Sequence, residues 1–336
     1  MERVSLLIPN WNGRARLVSL LARLQEQTLA PAQIVVADDG STDGSAEAAA
    51  SLGAEVVQLR QHAGFAAAVN AGLARCRNEW VALLNNDVAP EADWLERLVT
   101  AASEAGAWFA CGKLLSASDP RRLDGTYDLL CRGAAAWRAG SGRPDGPPWD
   151  HPRAIRFAGF SAVVLRRELS AIAGPLDERF GSYLEDVDFC LRCALRGIPG
   201  LYVPQARGRH AGSATLGRWS AATVRLIARN QLLLVGKHYP ADWKRRYGRA
   251  VLAAQLLWGA LALRRGAFAA WIRGKQEGIK MFDSIRASSV PAEPDLLEAV
   301  LTEGERQIFE LQRATGRDAY WRLYFLLAGA PPAGQR

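Results

Sequence analysis

Three short stretches carry residues whose type and spacing could do chemistry. In the first, Val81-Ala82-Leu83-Leu84 runs straight into Asn85-Asn86-Asp87, where the apolar run stops. Four apolar residues without polar alternation suit a strand covered on both faces, and sheets of that kind hold ligands at the carboxyl ends of their strands. Asp87 is then a single carboxylate at a strand end, which is what a divalent cation shared with a nucleotide diphosphate takes from its protein. The same residues also read as a polar turn before a helix opening near Pro90.

The second stretch is Glu185-Asp186-Val187-Asp188, in the first turn of an expected helix, where negative charge complements the helix dipole. Capping accounts for such residues, and it is the favoured role for Asp188. Three acidic groups so close together also raise one carboxylate's pKa toward that of a useful general base. The third is His210 in Arg207-Gly208-Arg209-His210-Ala211-Gly212, which reads as a loop following a short strand, Gly200 to Pro204. A lone loop histidine is ordinarily exposed.

The elements that must position these groups alternate along the first half. Strands are expected at Val4 to Ile8, Gln33 to Ala37, Glu55 to Leu59 and Trp80 to Leu84. Helices are expected after Gly13 (on Leu17, Leu20, Leu21 and Leu24), over Ala46 to Leu52, and over Phe65 to Arg75. This spacing implies right-handed βαβ units and an α/β nucleotide-binding domain. Gly133 to Pro152 is rich in glycine and proline and reads as a long surface loop of the kind used as a lid or left disordered. A second apolar segment spans Ile155 to Arg166, with small residues that let a ligand approach the backbone.

Composition sets the outer bounds. At 336 residues, 49% hydrophobic and 23% charged, the chain is an ordinary globular one with room for two domains. Met1-Glu2-Arg3 leads directly into a strand-like run, so no secretory leader is expected. Five scattered cysteines, an odd number, suggest buried thiols in a reducing cytoplasm, and Cys190-x-x-Cys193 has no second pair for a zinc site.

The net charge of +8 is unevenly placed: 23 basic against 24 acidic residues in 1–215, but 19 against 10 in 216–336. Within 218–286 the ratio is 14 to 3, which implies an anionic surface as partner. The apolar run from Val251 to Leu263 is about 14 residues, short of the roughly 20 needed to span a bilayer. Helices lying on a membrane are therefore expected, with Trp243, Trp258 and Trp271 as interfacial anchors. Packing on the catalytic domain or on a second copy, as a homo-oligomer, is the alternative. Nucleic acid is disfavoured, because the basic residues are interleaved with apolar helix faces.

Taken in order, the segments Ile8-Pro9-Asn10-Trp11-Asn12-Gly13, Val36-Ala37-Asp38-Asp39-Gly40-Ser41, Gly64-Phe65-Ala66-Ala67-Ala68-Val69-Asn70, Leu84-Asn85-Asn86-Asp87, Gly174-Pro175-Leu176-Asp177, Tyr183-Leu184-Glu185-Asp186 and His210-Ala211-Gly212 resemble the family 2 glycosyltransferases, and most of all their rhamnosyltransferase-type bacterial branch. The resemblance covers about residues 3–240 and rests on the joint order of these pieces. It implies a GT-A fold, a Rossmann-like α/β sandwich with a mostly parallel central sheet. The catalytic domain would be residues 1–215, and a basic, amphipathic helical region would fill 216–336.

By the same resemblance, Pro9, Asn10, Asn12, Asp38, Asp39, Gly64, Asn70 and Asn86 would bind the nucleotide, and Asp87 and His210 would hold Mg2+ or Mn2+. Asp186, paired with Glu185, would be the catalytic base of an inverting transfer. The implied donor is a dTDP- or UDP-sugar, with rhamnose suggested by the branch. The implied acceptor is a saccharide or polyprenyl-linked saccharide of cell-surface polysaccharide synthesis, reached by a protein peripheral on the inner face of the cell membrane. His62 departs from the family pattern, where an asparagine is common, and Asn85-Asn86-Asp87 keeps one carboxylate of the acidic triplet. A non-catalytic sugar-nucleotide or glycolipid-binding scaffold is the competing class, and the joint presence of Asp87, Asp186 and His210 argues against it. Nucleotidyltransferases share the layout but need a basic glycine-rich loop, which Pro9 to Gly13 lacks.

Overall fold

The computed structural model describes residues 2–212, 217 and 219–329. The chain divides into two compact units, one of Met1–Asp128 with Arg138–Thr215, the other of Leu129–Trp137 with Leu216–Arg336. The short segment 129–137 thus belongs with the C-terminal residues and not with the catalytic stretch in which it lies.

In chain order the first unit runs β1 (Val4–Asn10), α1 (Arg14–Leu24), β2 (Gln33–Asp38), α2 (Ser45–Ser51), β3 (Glu55–Gln58), α3 (Phe65–Leu73), β4 (Trp80–Leu84), β5 (Val88–Pro90), α4 (Trp94–Glu104), β6 (Phe109–Ser116) and β7 (Leu123–Gly125). A hairpin of β8 (Asp128–Leu130) and β9 (Ala136–Arg138) follows. After it come β10 (Arg153–Ile155), β11 (Ala162–Arg166), α5 (Leu169–Ala173), α6 (Glu185–Ala194) and β12 (Gly200–His210).

The main sheet has the order β10-β12-β6-β11-β4-β1-β2-β3. From β4 to β3 every pairing is parallel. β11 enters antiparallel between β4 and β6, and β12 then pairs parallel with β6. β1 and β4 are buried along their whole length, as strands covered on both faces must be. Leu17, Leu20, Leu21 and Leu24 of α1 pack into the core between helices and sheet. The βα units place Asn10, Asp38 and Leu84 at neighbouring strand ends, which is where the switch in strand order opens the sheet.

Two expectations need correction. The last strand does not end at Pro204: β12 continues to His210, with a register shift between Val203 and Arg207. The proline is taken up in the irregularity, and the strand persists because β6 pairs with it on one edge and β5 on the other. Gly112 permits this, since a Cβ there would overlap the Ala206 carbonyl. The glycine- and proline-rich segment is likewise neither loose nor disordered. Lys113, 2% exposed, pairs with Asp145 at 2.7 Å and Asp150 at 2.5 Å, Arg207 adds 2.6 Å to Asp145, and Trp149 is buried. A buried ammonium needs such partners, so the pairing ties the segment to the sheet.

The second unit continues with α7 (Ala221–His238), α8 (Trp243–Arg264), α9 (Phe268–Ala287), α10 (Pro294–Thr315) and α11 (Ala319–Ala328). Among the described residues no helix is long and apolar enough to cross a membrane. Glu305 of α10, buried, pairs with Arg132 at 2.7 Å, which fastens segment 129–137 to the helices. The expected tryptophan anchors are half-buried, each against another ring: Trp258 lies 5.3 Å from Trp219, Trp271 stacks on Phe268 at 5.3 Å, and Trp243 meets Phe282 at 6.0 Å. All five cysteines are free and buried, and burial pushes their thiols upward.

Candidate active site

At the carboxyl ends of β1, β2 and β4 the expected nucleotide-binding residues form one hydrogen-bonded chain. Asn86 donates to the Asn10 side-chain oxygen (2.7 Å), Asn10 donates to Asp38 (3.0 Å), and Asp38 accepts from the Ser41 backbone N–H (2.9 Å). Pro9 stands one residue earlier in β1, in register with Ala37. Asn12, held at φ +46°, accepts from the Thr42 backbone N–H at 2.9 Å. Gly13 is required beside them, since a Cβ would run into the Asn86 amide.

Asp39 is committed locally. Its carboxylate accepts from the backbone N–H groups of Ala63 (2.7 Å) and Gly64 (2.9 Å) and lies 2.8 Å from His62 Nδ1. His62 in turn stacks on Trp11 with centroids 4.0 Å apart. The departure from asparagine at this position thus supplies a stacked ring and a partner for Asp39. Asn70 is engaged elsewhere, exchanging hydrogen bonds with the backbone of Leu176 (2.9 Å each way) and donating to Glu178 (3.0 Å), and so clamps the loop that leads to α6.

Asp87 and His210 come together although 123 positions separate them. The Asp87 carbonyl accepts from Ala211 N–H at 3.0 Å, and His210 is in register with Val88, so the β5–β12 pairing brings the two side chains face to face. His210 Nε2 lies 3.2 Å from Asp87 and Nδ1 2.7 Å from Asp124. The imidazole is buried, contrary to the expectation for a loop histidine. Burial opposes its protonation, but the hydrogen bonds it donates to Asp124 and Asp87 outweigh that and push its pKa to about 9.

The carboxylates of α6 divide in role. Asp188 is fully buried and pairs with Arg192 at 2.9 Å, whose guanidinium also donates to the carbonyls of Ala173, Gly174 and Pro175. Unpairing such a buried charge costs about 3 to 5 kcal/mol, which makes it a fastening for the preceding loop. Glu185 is buried with one carboxylate oxygen unpartnered, and burial followed by the neighbouring Asp186 raises its pKa well above the ordinary range.

Asp186 is only half-buried, accepting from the N–H groups of Val187 (2.8 Å) and Phe160 (3.3 Å). Burial and Asp128 raise its pKa to about 6, with Arg138 opposing. Of the two, Glu185 is the one burial raises further, which favours the proton on it over Asp186. The helix that aims them is entered through two consecutive left-handed residues, Tyr183 (φ +69°) and Leu184 (φ +67°). Non-glycine residues in that region cost on the order of 1 to 3 kcal/mol each, and such strain collects at functional sites.

Three residues that sequence reasoning missed complete the site. Arg138, at the end of β9, donates to Asp128 at 3.2 Å and to Ser161 at 3.4 Å. Asp128, Asp124 and Asp186 together hold the guanidinium firmly charged. It threads between Gly125 and Gly159, where any Cβ would collide with it. One cation is thereby shared among the carboxylate that orients His210, a buried aspartate, and Asp186. The only sequence trace is the pair of glycines.

A metal would find part of its shell here. Asp87 and His210 Nε2 converge, and Asp124 at Nδ1 fixes the imidazole as the partner of a ligating histidine does. Among the described residues no cluster of three or more such side chains forms a cage. That suits an ion completed by diphosphate and water.

Residues 5–169 match the family model for family 2 glycosyl transferases. Among curated proteins the chain is 28% identical over 276 residues to an N-acetylglucosaminyl-diphospho-decaprenol L-rhamnosyltransferase of Mycobacterium tuberculosis, covering 73% of this chain and 85% of that one. It is also 29% identical to a pre-mycofactocin glycosyltransferase of the same organism, over 65% of this chain and 44% of the relative. Among solved structures it resembles GalNAc-T7 with UDP, GalNAc and Mn2+ (TM-score 0.59, 15% identity, 86% of this chain and 57% of that one). A second is the mannosyltransferase PcManGT of Pyrobaculum calidifontis with GDP-Man and Mn2+ (TM-score 0.52, 16% identity, 97% and 86%). At these identities the structural likeness bears on the fold, an α/β sandwich of the GT-A type. With the family model over residues 5–169 and the similarity to the rhamnosyltransferase over 276 residues, the chain carries a family 2 glycosyltransferase domain that is similar to the rhamnosyltransferase-like branch.

Proposed function

We propose that the protein transfers a sugar from a nucleotide-diphosphate donor, with inversion, to a hydroxyl of a lipid-linked saccharide in cell-surface polysaccharide synthesis. The observation that carries the reading is the juxtaposition, in one unit, of the Asp87–His210–Asp124 group with a half-buried Asp186 whose pKa is raised to about 6. The lipid-linked acceptor is supported by the name of the mycobacterial relative, and dTDP-rhamnose is the first donor to test, ahead of UDP-hexoses.

The donor would lie along Pro9, Asn10, Asn12, Asp38 and Asn86, with the Asp39-braced turn at Gly64 closing the far side. Asp186 takes the proton of the acceptor hydroxyl, the oxygen bonds to the anomeric carbon, and the carbon–oxygen bond to the diphosphate breaks with its electron pair leaving on the diphosphate. Asp87 and His210 would hold Mg2+ or Mn2+, which when bound neutralises charge on the departing group. Burial raises the Glu185 pKa more than that of Asp186, which favours Asp186 as the proton acceptor. Catalysis is assigned to residues 1–215 and membrane placement, at the inner face, to the basic helices of 216–336.

Thermal denaturation tests the donor site. A ligand at one hundred times its Kd stabilises by about 2.7 kcal/mol, enough to raise Tm by several degrees. One sugar nucleotide among dTDP-rhamnose, UDP-sugars and GDP-mannose is expected to do so with Mn2+ present and to do markedly less with chelator. A melting curve that none of them shifts would contradict the reading.

A further inference from the structure

The helices of the C-terminal unit are turned inside out at α8. Its buried side mixes small residues, Ala250, Ala253, Ala254, Gly259 and Ala262, with Tyr247, Val251 and Gln255, while Leu252, Leu256 and Leu263 are 60%, 56% and 62% exposed. At 100° per residue these leucines fall on one stripe with Arg245 and Arg249. A water-facing helix of a globular protein places its leucines the other way. Helix α11 packs against α8, with Arg249 donating to the Leu327 carbonyl, and adds Leu326 (72% exposed) and Leu327 (45%) beside the stripe.

We propose that this leucine face of α8 and α11 is the surface by which the protein lies in the interface of an anionic bilayer. Arg265 turns away over the Trp219 ring, but cations stand at both ends of the stripe, Arg245 and Arg249 on it before the leucines and Arg264 at its edge after them. Their apolar stems can follow the leucines while the charged heads reach phosphate. A second copy is the poorer occupant, because pairing α8 with α8 in either direction sets these cations against cations at both ends. The stripe also ends far short of a bilayer's thickness, so the helix lies along the surface. The inference deepens the proposed placement at the membrane and rests on it, and it makes these leucines the main contact.

The test is flotation of the full chain with vesicles of phosphatidylcholine alone or with 30% phosphatidylglycerol (roughly the anionic content that gives a strong surface potential), comparing wild type with the triple variant L252Q/L256Q/L263Q. The exposed positions make the variant's Tm unchanged, and its thermal response to sugar nucleotide with Mn2+ should match wild type, which separates this proposal from the assigned chemistry. Wild type is expected to float with the anionic vesicles at low salt and to be largely released at high salt. The variant should partition at least tenfold less. Equal flotation of both proteins, or no flotation of wild type, would overturn the proposal. So would a concentration-dependent wild-type dimer that the triple variant dissolves, which would assign the face to a second copy.

Discussion

Asp186→Asn is expected to lower turnover about a hundredfold or more, the usual scale for loss of a general base, while sugar-nucleotide binding stays intact. The replacement is nearly isosteric, and the side-chain oxygen can still accept from Val187 or Phe160 N–H, so the entry to α6 is preserved. The acid limb goes with it. A base must be ionised to act, so in wild type kcat/KM should climb with pH through about 6, where burial and Asp128 place this carboxyl. Glu185→Gln serves as the control, because burial raises that group's pKa and a neutral amide resembles its protonated form. Steady-state rates for the two variants decide the matter: a larger loss in Glu185→Gln would transfer the role of base to Glu185.

Asp87→Ala should abolish turnover and, with it, the metal-dependent part of nucleotide diphosphate binding. His210 would keep Asp124 at Nδ1, so the imidazole remains oriented and the β5–β12 pairing, which is made by backbone, is untouched. Calorimetric titration of the nucleotide diphosphate with and without Mn2+ measures the effect. Binding that responds to metal equally in the variant and the wild type would remove Asp87 from the site.

Local pattern revealed some parts of this architecture and could not reveal others. Leu83 and Leu84 lead into Asn85-Asn86-Asp87 because a doubly covered parallel strand needs an unbroken apolar run, and such a run is visible in a sequence. The clustering of Asn10, Asp38 and Asn86 follows from parallel neighbours ending at the same edge. The burial of His210 could not be read, because Pro204 and Arg207-Gly208-Arg209 have loop chemistry, and only pairing with residues 88–90 and 113–116 makes them a strand. Arg138 was hidden for a related reason: it reaches the site through a hairpin inside a glycine- and proline-rich stretch, and its partners Asp124, Asp128 and Asp186 are gathered by tertiary contacts. In α8 the apolar residues surround the helix, so periodicity marks a helix without saying which side faces inward.

The most direct test of the central claim, one displacement with Asp186 as the only base, is the anomeric configuration of the product. Proton NMR of the glycoside formed from the sugar nucleotide that stabilises the protein should show the configuration opposite to that of the donor. A product with the donor's configuration would require two displacements or a front-face route, and would contradict the mechanism assigned to Asp186.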